Sequence, residues 1–353
     1  MYKYSHFINQ NIAPKGATKL AVYDKEDKLV YERSLGKLAR PSGDVQYSFG
    51  LISDIHLWKT VSSWNGNVKF DNALSYFEKE NCIMCIHCGD ITQTGLYDEG
   101  DKTNLVPAQF EIYKTIRDKH TIPVHGLCGN HESYVNPISK NIAELNYYTD
   151  IAALNYTVTQ GNDLFIMLSQ PDYNAVMSNE ALQWLYEVLE ENRNKRCFVF
   201  IHAYIEEDSG DPLDLRENSI FEAWGDTRTT AFKNLMKHYK NALLFHGHSH
   251  MKFEYQSFDM NANYTERNGF KSIHVSSVGK PRNIIEATGE TPDDNDASQG
   301  YIVDVYDSCI ILNGIDLIAG TPIPLGTYKI DTTLREISAN TFSDSSNTIK
   351  TTK

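Results

Sequence analysis

From residue 47 to about residue 278, short apolar runs alternate with amphipathic stretches of helical length. The runs read YSFGLISDIH, CIMCIHCGD, IPVHGLCGNHE, LFIMLSQ, CFVFIHAYI, ALLFHGHSH and SIHVSSVG. One of the intervening stretches places Leu182, Leu185 and Leu189 at helical spacing behind Ser178, which is a favourable helix start. Strands that alternate with helices in this way predict an α/β fold with the helices outside the sheet layers.

Two predicted β-hairpins flank this region. Residues 18–34 alternate apolar and polar side chains around a polar DKEDK turn, and residues 301–318 form a second alternating pair. The last stretch, residues 338–353, is rich in Ser, Thr and Asn. We expect that stretch to fray or to pair only weakly, because it has few apolar side chains to bury.

The composition excludes several classes of protein. The 353 residues carry a net charge of −13, and an acidic surface repels phosphate backbones, so we expect no nonspecific nucleic-acid binding. Bound divalent cations would reverse that field locally. The apolar runs are too short to span a membrane, and residues 1–20 lack the apolar region of a signal peptide. We therefore expect no transmembrane segment and, by default, a cytoplasmic location.

The run CIMCIHCGD has the cysteine spacing of a thiolate metal site. In a β-strand, however, Cys82 and Cys88 would face one way and Cys85 the other, so the three thiolates could not converge. A structural zinc site also needs a second ligand pair, and no further CxxC occurs. We therefore predict that the cysteines are buried in the core, and that the informative residue of this run is Asp90.

Polar residues of metal-ligand type end five of the apolar runs. They are Asp54, His56, Asp90, Asn130, His131, His202, His248 and His250. Because ligands bind at the carboxyl ends of strands in α/β folds, all five ends could meet at one rim. A single such residue is a weak signal, but the ordered series D-x-H, G-D, G-N-H-E, strand His and G-H-x-H is specific. The glycines before Asp90, Asn130 and His248 would let the chain turn sharply.

This ordered series resembles the calcineurin-like metallophosphoesterase superfamily, over roughly residues 47–280 and the hairpin at 300–318. The resemblance implies a four-layer α/β/β/α sandwich with a small N-terminal β-hairpin extension and an irregular C-terminal tail. On this basis we expect an N-terminal β extension over residues 1–45. The catalytic domain would span residues 46–320, and a C-terminal strand and tail would occupy residues 321–353.

The resemblance also implies two metal ions that share one carboxylate. The ligands of one ion would be Asp54, His56 and His250, those of the other Asn130, His202 and His248, and the bridge Asp90. Nitrogen and oxygen ligands without thiolate suit divalent or trivalent Mn, Fe or Zn. A hydroxide bridging the metals would attack phosphorus in line, and His131 would be the general acid for the leaving oxygen.

The residues after Asp90 bear on the substrate. They read ITQTG, whereas the protein-phosphatase branch carries an Arg-bearing G-D-x-x-D-R-G motif, so the chain looks more like the phosphodiesterase branch. The loops between the motifs would contact a small or polymeric phosphodiester. The candidate contacts are Tyr134, Tyr204, Trp224 and Arg282. For each aromatic the alternative is packing under its own loop.

Three alternatives stay open. A phosphomonoesterase would need extra cationic groups for its dianionic substrate, and Lys59, Lys280 and Arg282 are the candidates. The two ends of the chain are weakly similar to flanking segments of some phage structural proteins. That similarity would fit a phage-particle or cell-surface hydrolase of a phosphodiester polymer such as teichoic acid. A non-enzymatic binding module with a structural metal site is disfavoured, because such a site would not need His131.

Overall fold

The computed structural model describes most of the chain. The described residues are 19–23, 29–34, 43–58, 62–93, 105–133, 142–149, 151, 153–170, 177–204, 220–254, 263–266, 268–285, 290–334 and 342–351. Within them lie the helices α1 (Gly66–Lys79), α2 (Leu105–Arg117), α3 (Ile142–Thr149), α4 (Asn179–Glu191) and α5 (Ile220–His238). No helix among these residues is long and apolar enough to cross a membrane.

The described strands form a separate hairpin and two six-stranded sheets. In the hairpin, β1 (Lys19–Tyr23) pairs antiparallel with β2 (Leu29–Ser34), which confirms the prediction from the alternation over residues 18–34. The other strands, in chain order, are β3 (Tyr47–Ile52), β4 (Cys85–His87), β5 (Val124–Gly126), β6 (Asn155–Gln160), β7 (Asp163–Leu168), β8 (Arg196–Phe200), β9 (Ala242–His246), β10 (Tyr264–Thr265), β11 (Lys271–His274), β12 (Gln299–Val305), β13 (Cys309–Asp316) and β14 (Thr321–Asp331).

Both large sheets are mixed. The strand order is β10-β11-β9-β8-β7-β6 in the first sheet and β14-β13-β12-β3-β4-β5 in the second. Strands β7, β8, β9 and β11 run parallel in the first sheet, as do β3, β4 and β5 in the second. The predicted hairpin over residues 301–318 is β12–β13, which lies antiparallel beside β3. The parallel strands therefore come from the apolar runs that end in polar residues.

The two large sheets pack face to face over an aromatic core. Phe49 of β3 and Phe165 of β7 meet edge to face, with ring centroids 5.2 Å apart. Helices α1 and α2 cover the outer face of the second sheet, and α4 and α5 cover the outer face of the first. Each large apolar side chain buried in these layers contributes about 1.5–3 kcal/mol. The predicted four-layer α/β/β/α sandwich is thus confirmed.

Helix α4 shows how the sequence builds an outer layer. The Ser178 side chain accepts a hydrogen bond from the backbone N–H of Ala181 at 3.1 Å, which satisfies one of the free donors at the helix start. Leu182, Leu185 and Leu189 are fully buried on the sheet side. The predicted helix start and apolar face are therefore both present.

The cysteines of the second apolar run are buried free thiols, as predicted. Burial raises the pKa of Cys85 and Cys88 well above the usual thiol range, so both stay protonated. The predicted facing is wrong for Cys82, which joins the same helix-side cluster as Cys85, whereas Cys88 lies between the sheets. The reason is that β4 begins only at Cys85, so strand alternation does not reach back to Cys82.

The end of the chain packs more firmly than its composition predicts. Strand β14, at the start of the predicted C-terminal segment, pairs antiparallel with β13 and forms an edge of the second sheet. In residues 342–351, Phe342 stacks on Tyr186 with centroids 5.3 Å apart, and Ile349 is buried in the α4–α5 cluster. The expectation of fraying is therefore wrong for residues 342–351, because two apolar side chains dock them onto the helices, although these residues form no strand.

Candidate metal centre

The predicted ligand residues all lie just beyond the carboxyl ends of parallel strands. They are Asp54 and His56 after β3, Asp90 after β4, Asn130 after β5, His202 after β8, and His248 and His250 after β9. The first three strands belong to one sheet and the last two to the other, so both sheets contribute to one site. All of these side chains are buried except His248, which is half-buried.

Four of these residues form a first cluster: Asp54, His56, Asp90 and His250 offer ligand atoms that all lie within 4.8 Å of one another. His250 Nε2 is 3.0 Å from Asp54 Oδ1 and 3.1 Å from His56 Nε2. His56 Nε2 is 4.0 Å from Asp90 Oδ2. This arrangement brings together the residues expected at one metal ion, with the expected bridge beside them.

A second cluster shares Asp90 with the first and adds His202 and His248. His202 Nε2 lies 3.1 Å from Asp90 Oδ2 and 3.0 Å from His248 Nδ1. It also lies 3.0 Å from Asn130 Oδ1, which brings the amide oxygen into the same group. The structure therefore gathers all seven predicted ligands, with Asp90 between the two groups.

The protonation of these histidines indicates that the clusters fit metal ions. His202 Nδ1 lies 2.8 Å from the carbonyl oxygen of Cys88, and His250 Nδ1 lies 2.9 Å from that of Lys280. A carbonyl can only accept, so each Nδ1 carries the proton, and in the neutral ring Nε2 presents a lone pair.

Those Nε2 atoms lie beside buried carboxylate oxygens. No hydrogen bond of good geometry from the described residues reaches Asp54 Oδ1 or Asp90 Oδ2, although an imidazole nitrogen lies within 3.1 Å of each. Converging lone pairs and buried anionic oxygens are unfavourable unless a cation or proton lies between them. The N/O donor set thus fits two divalent or trivalent ions such as Mn, Fe or Zn.

The backbone at the ligands is in a sparsely populated conformation. Positive φ angles, between 51° and 72°, occur at Asp54, His56, Asp90, His248 and His250. Such a conformation costs of order 1–3 kcal/mol at a non-glycine residue and clusters at functional sites. The tight turns allow residues two apart, such as His248 and His250, to serve the same centre. The residue pattern does not predict these angles.

The glycines that precede the ligands serve two different purposes. Gly89 has a φ of 91°, so it turns the chain as expected. Gly129 and Gly247 instead allow close approach: an added Cβ would lie 2.3 Å from Asp90 Oδ1 at Gly129 and 1.9 Å from Ser53 Oγ at Gly247. The expected turn is therefore correct for Gly89, whereas the other two positions are glycine because there is no room for a side chain.

Two buried positioning residues are missed by the sequence-based ligand assignment. The Glu132 carboxylate accepts hydrogen bonds from the backbone N–H groups of Gly129 at 2.7 Å, Thr92 at 2.9 Å and Asp90 at 3.1 Å, so it ties the two ligand loops together. Burial, and then the nearby Asp90 charge, raise the pKa of Glu132 to about 7.

The other positioning residue is Gln170. Its Oε1 accepts hydrogen bonds from the backbone N–H groups of His202 at 2.8 Å and Ala203 at 2.5 Å, which fixes the start of the His202 loop. Glu132 stands within the quoted GNHE series, and Gln170 ends the LFIMLSQ run. Each follows a strand end, so the same signal that identified the ligands could have identified both.

His131 lies beside the ligands on the more accessible side of the centre. Its backbone N–H donates to Asp90 Oδ1 at 3.0 Å, and its Nδ1 donates to the Gln93 carbonyl at 3.0 Å. Its Nε2 is 3.8 Å from Asp90 Oδ2, and its ring meets His56 edge to face. The side chain is 17% exposed, which is more than its buried neighbours.

The four predicted substrate contacts fall into different surroundings. Tyr134 and the side chain of Trp224, a residue of α5, lie outside the described part of the chain. Tyr204 is only 1% exposed and its ring packs 5.6 Å from that of His248, so its burial favours the packing alternative. Arg282 is partly exposed, with Nε 3.2 Å from Asp293 Oδ1.

Comparisons with known proteins agree with this fold. The family model described as calcineurin-like phosphoesterase matches residues 47–252. A search of curated proteins found no match. A dimetal phosphatase from Danio rerio is similar in structure, with a TM-score of 0.57 and 15% identity, covering 82% of this chain and 100% of that chain. The phosphoesterase Yfce from E. coli has a TM-score of 0.33 and 11% identity, covering 81% of this chain and 100% of its own.

At 15% identity the Danio rerio structure shows the fold alone, whereas the family model covers more than half of the 353 residues. Its matched range begins at β3 and ends just beyond His250, so it contains both sheets' ligand loops. The shared carboxylate and the two Asp/His clusters supply the dimetal site that this family's chemistry requires. The chain therefore belongs to the calcineurin-like phosphoesterase family and is a metallophosphoesterase, a hydrolase with a dimetal site.

Proposed function

We propose that this hydrolase is a phosphodiesterase that acts on a small or polymeric phosphodiester. The proposal rests on the residues that follow Asp90 in the sequence. In the Arg-bearing G-D-x-x-D-R-G motif the acid and the arginine would fall at positions 93 and 94, which are Gln93 and Thr94 here. That place therefore supplies no cation for the second charge of a phosphate monoester, whereas a diester carries only one charge.

We assign the metal-binding role to the two clusters, with Asp90 shared between them. Two bound ions would supply positive charge beside the phosphoryl oxygens and would lower the pKa of a water molecule towards neutrality. The carbonyls of Cys88 and Lys280 hold His202 and His250 with Nε2 directed inward. Positively charged metal would also offset the repulsion between an anionic substrate and an acidic chain.

We assign proton transfer to the leaving oxygen to His131. Because Nδ1 donates to Gln93, Nε2 is the nitrogen directed towards the centre. Burial lowers the pKa of His131 and the attraction of Asp90 opposes that effect, so the ring titrates below its ordinary value. Its partial exposure lets solvent return the proton after each turnover.

The test is hydrolysis of bis-p-nitrophenyl phosphate against p-nitrophenyl phosphate, with Mn²⁺ added and with EDTA. We expect EDTA-sensitive cleavage that favours the diester, because only one substrate charge then needs a partner. A metal-dependent preference for the monoester would contradict the phosphodiesterase assignment. After a positive result, cyclic nucleotides, glycerophosphodiesters and teichoic acid would be compared as natural substrates.

A further inference from the structure

The chain segment 277–283, called the rim segment here, lies directly against the first metal cluster. The carbonyl of Lys280 accepts the proton of His250 Nδ1 at 2.9 Å, and the N–H of Arg282 donates to the His250 carbonyl at 2.8 Å. Two other groups of the rim segment donate to the carbonyl of Asp54. Side chains that leave the rim segment therefore start next to two metal ligands.

One carboxylate binds both cations of the rim segment. Lys280 Nζ is 3.2 Å from Asp293 Oδ2, and Arg282 Nε is 3.2 Å from Asp293 Oδ1, so each oxygen takes one cation. The three side chains are 17%, 21% and 30% exposed, which places the group at the surface beside the centre. Arg282 and Asp293 also pair through their backbones, so the carboxylate is held in place.

Lys280 also lies over an aromatic ring that is hydrogen-bonded to a ligand residue of the centre. Lys280 Nζ is 5.0 Å from the ring centroid of Trp64, whose Nε1–H donates to the carbonyl of the ligand His56 at 2.8 Å. Burial raises the pKa of Asp293, but Lys280, Arg282 and then His250 lower it further, so the carboxyl is ionised.

The other described cations around the rim segment are also engaged. Lys252 Nζ is 2.9 Å from Asp294 Oδ2, and the buried Lys69 Nζ donates to the carbonyl of Gly279 at 2.8 Å. Among the described residues, Lys280 and Arg282 are thus two partly exposed cations of the rim segment, and one acid binds both. A phosphate monoester carries about one more negative charge than a diester above its second pKa of about 6.

We propose that Asp293 is a specificity-determining residue that sets the charge preference of the site. By binding Lys280 and Arg282 together, it withholds the cationic contacts that the second charge of a monoester would need. The site then favours a singly charged phosphodiester. This inference rests on the proposed phosphodiesterase function and names the residue that enforces it.

The experiment compares the wild type with Asp293→Asn and with a matched control, Asp296→Asn. Asp296 is an exposed acid of the same loop, and it forms no ion pair with a described residue. Asp296→Asn therefore removes the same negative charge as Asp293→Asn without freeing a described cation. The readout is kcat/KM for p-nitrophenyl phosphate divided by kcat/KM for bis-p-nitrophenyl phosphate at pH 8. Both substrates release the same leaving group, so the ratio reports on substrate charge.

We expect Asp293→Asn to raise that ratio by about 5- to 10-fold, the effect of one freed charge-assisted contact. Asp296→Asn should leave it unchanged. Equal ratios in all three proteins, or an equal rise in both variants, would overturn the assignment. A second readout is calorimetric binding to the metal-loaded proteins. Asp293→Asn should bind inorganic phosphate more tightly by a similar factor and bind dimethyl phosphate as the wild type does.

The two proposals fail in different ways. A wild type that prefers the monoester would contradict the phosphodiesterase function, whereas a diester-preferring wild type with an unchanged ratio in Asp293→Asn would contradict only the role of Asp293. If Asp293→Asn fails to fold, Asp293→Ser gives the same test. That variant also removes the carboxylate that binds Lys280 and Arg282, so it should raise the ratio, and an unchanged ratio in the folded variant would overturn the proposal.

Discussion

The two ends of the parallel strands both bury charge, but they balance it differently. At the amino end of β7 and β8, Arg196 binds Asp163 through two bonds, with Nε 2.9 Å from Oδ1 and Nη2 2.5 Å from Oδ2. The remaining groups are satisfied too: Arg196 Nη1 donates to the carbonyl of Tyr306 and to Thr332, and Tyr47 donates to Asp163.

At the carboxyl end, the buried polar groups are not all hydrogen-bonded to one another. Two buried carboxylates lie within 3.1 Å of imidazole nitrogens, and their inner oxygens lack well-formed hydrogen bonds from the described residues. A self-satisfied ion pair stabilises the fold without a ligand, whereas converging acceptors require a proton or a metal cation between them. The amino-end charges are therefore paired within the protein, whereas the carboxyl-end nitrogens can exchange a proton for a metal ion.

The largest effect should come from removing the shared ligand. Asp90→Ala takes a carboxylate from both clusters, so we expect both metals to be lost and turnover to fall by at least about 10⁴-fold. Metal analysis of the purified variant together with kcat checks this. Full metal content and turnover would show that Asp90 does not bridge the two sites.

Breaking the Arg196–Asp163 ion pair should lower the stability of the fold but leave metal binding unchanged. Asp163→Ala leaves Arg196 buried without its anion, so we expect a loss of about 3–5 kcal/mol in the free energy of unfolding. Metal content per folded molecule should stay at the wild-type value. Chemical denaturation and metal analysis measure the two quantities, and metal loss in the folded variant would show that the two ends are not independent.

Removing the proposed proton donor, His131, should affect turnover differently for two kinds of leaving group. His131→Ala should lower kcat by about 10²- to 10³-fold for a diester with an alkyl leaving group, which needs a proton as it departs. With bis-p-nitrophenyl phosphate the loss should be much smaller, because p-nitrophenolate leaves readily without one. Equal losses with both substrates would assign His131 a role other than proton transfer.

A smaller effect is expected from pH. Burial lowers the pKa of His202, but attraction to Asp90, and then to Asp54, raises it to about 9 in the metal-free protein. Below that value a proton occupies the nitrogen that the metal needs. Apparent metal affinity should therefore rise by about tenfold per pH unit for each proton displaced, up to about pH 9. Competition titrations with a chelator between pH 6.5 and 9 measure it, and a flat profile would contradict this assignment.

The ligand loops were predictable because their signal is local. Each ligand follows its own strand within a few residues, and parallel strands must bring those ends together. What the sequence did not show depends on contacts between distant segments. Glu132 reaches back to Asp90 and Thr92, Gln170 reaches Ala203, and no residue pattern encodes those pairings.

The same limit explains the errors in the fold. The alternation argument for Cys82 fails because the length of β4 is set by its neighbours, and Cys85 is its first paired residue. The docking of Phe342 and Ile349 depends on where α4 and α5 leave an apolar surface, which the composition of the last residues does not report. Likewise, Asp293 stands in a polar loop whose ion pairs appear only once the rim segment is placed.

The left-handed turns at the ligands bear on how this centre could change over evolutionary time. Asp, Asn and His tolerate that backbone conformation better than most residues, and β-branched ones tolerate it least. A drifting mutation such as His248→Val or Asp54→Ile would thus remove a ligand and also strain the strand end that carries it. Loss of metal chemistry would come with a less stable fold, so selection for stability alone would help to retain these residues.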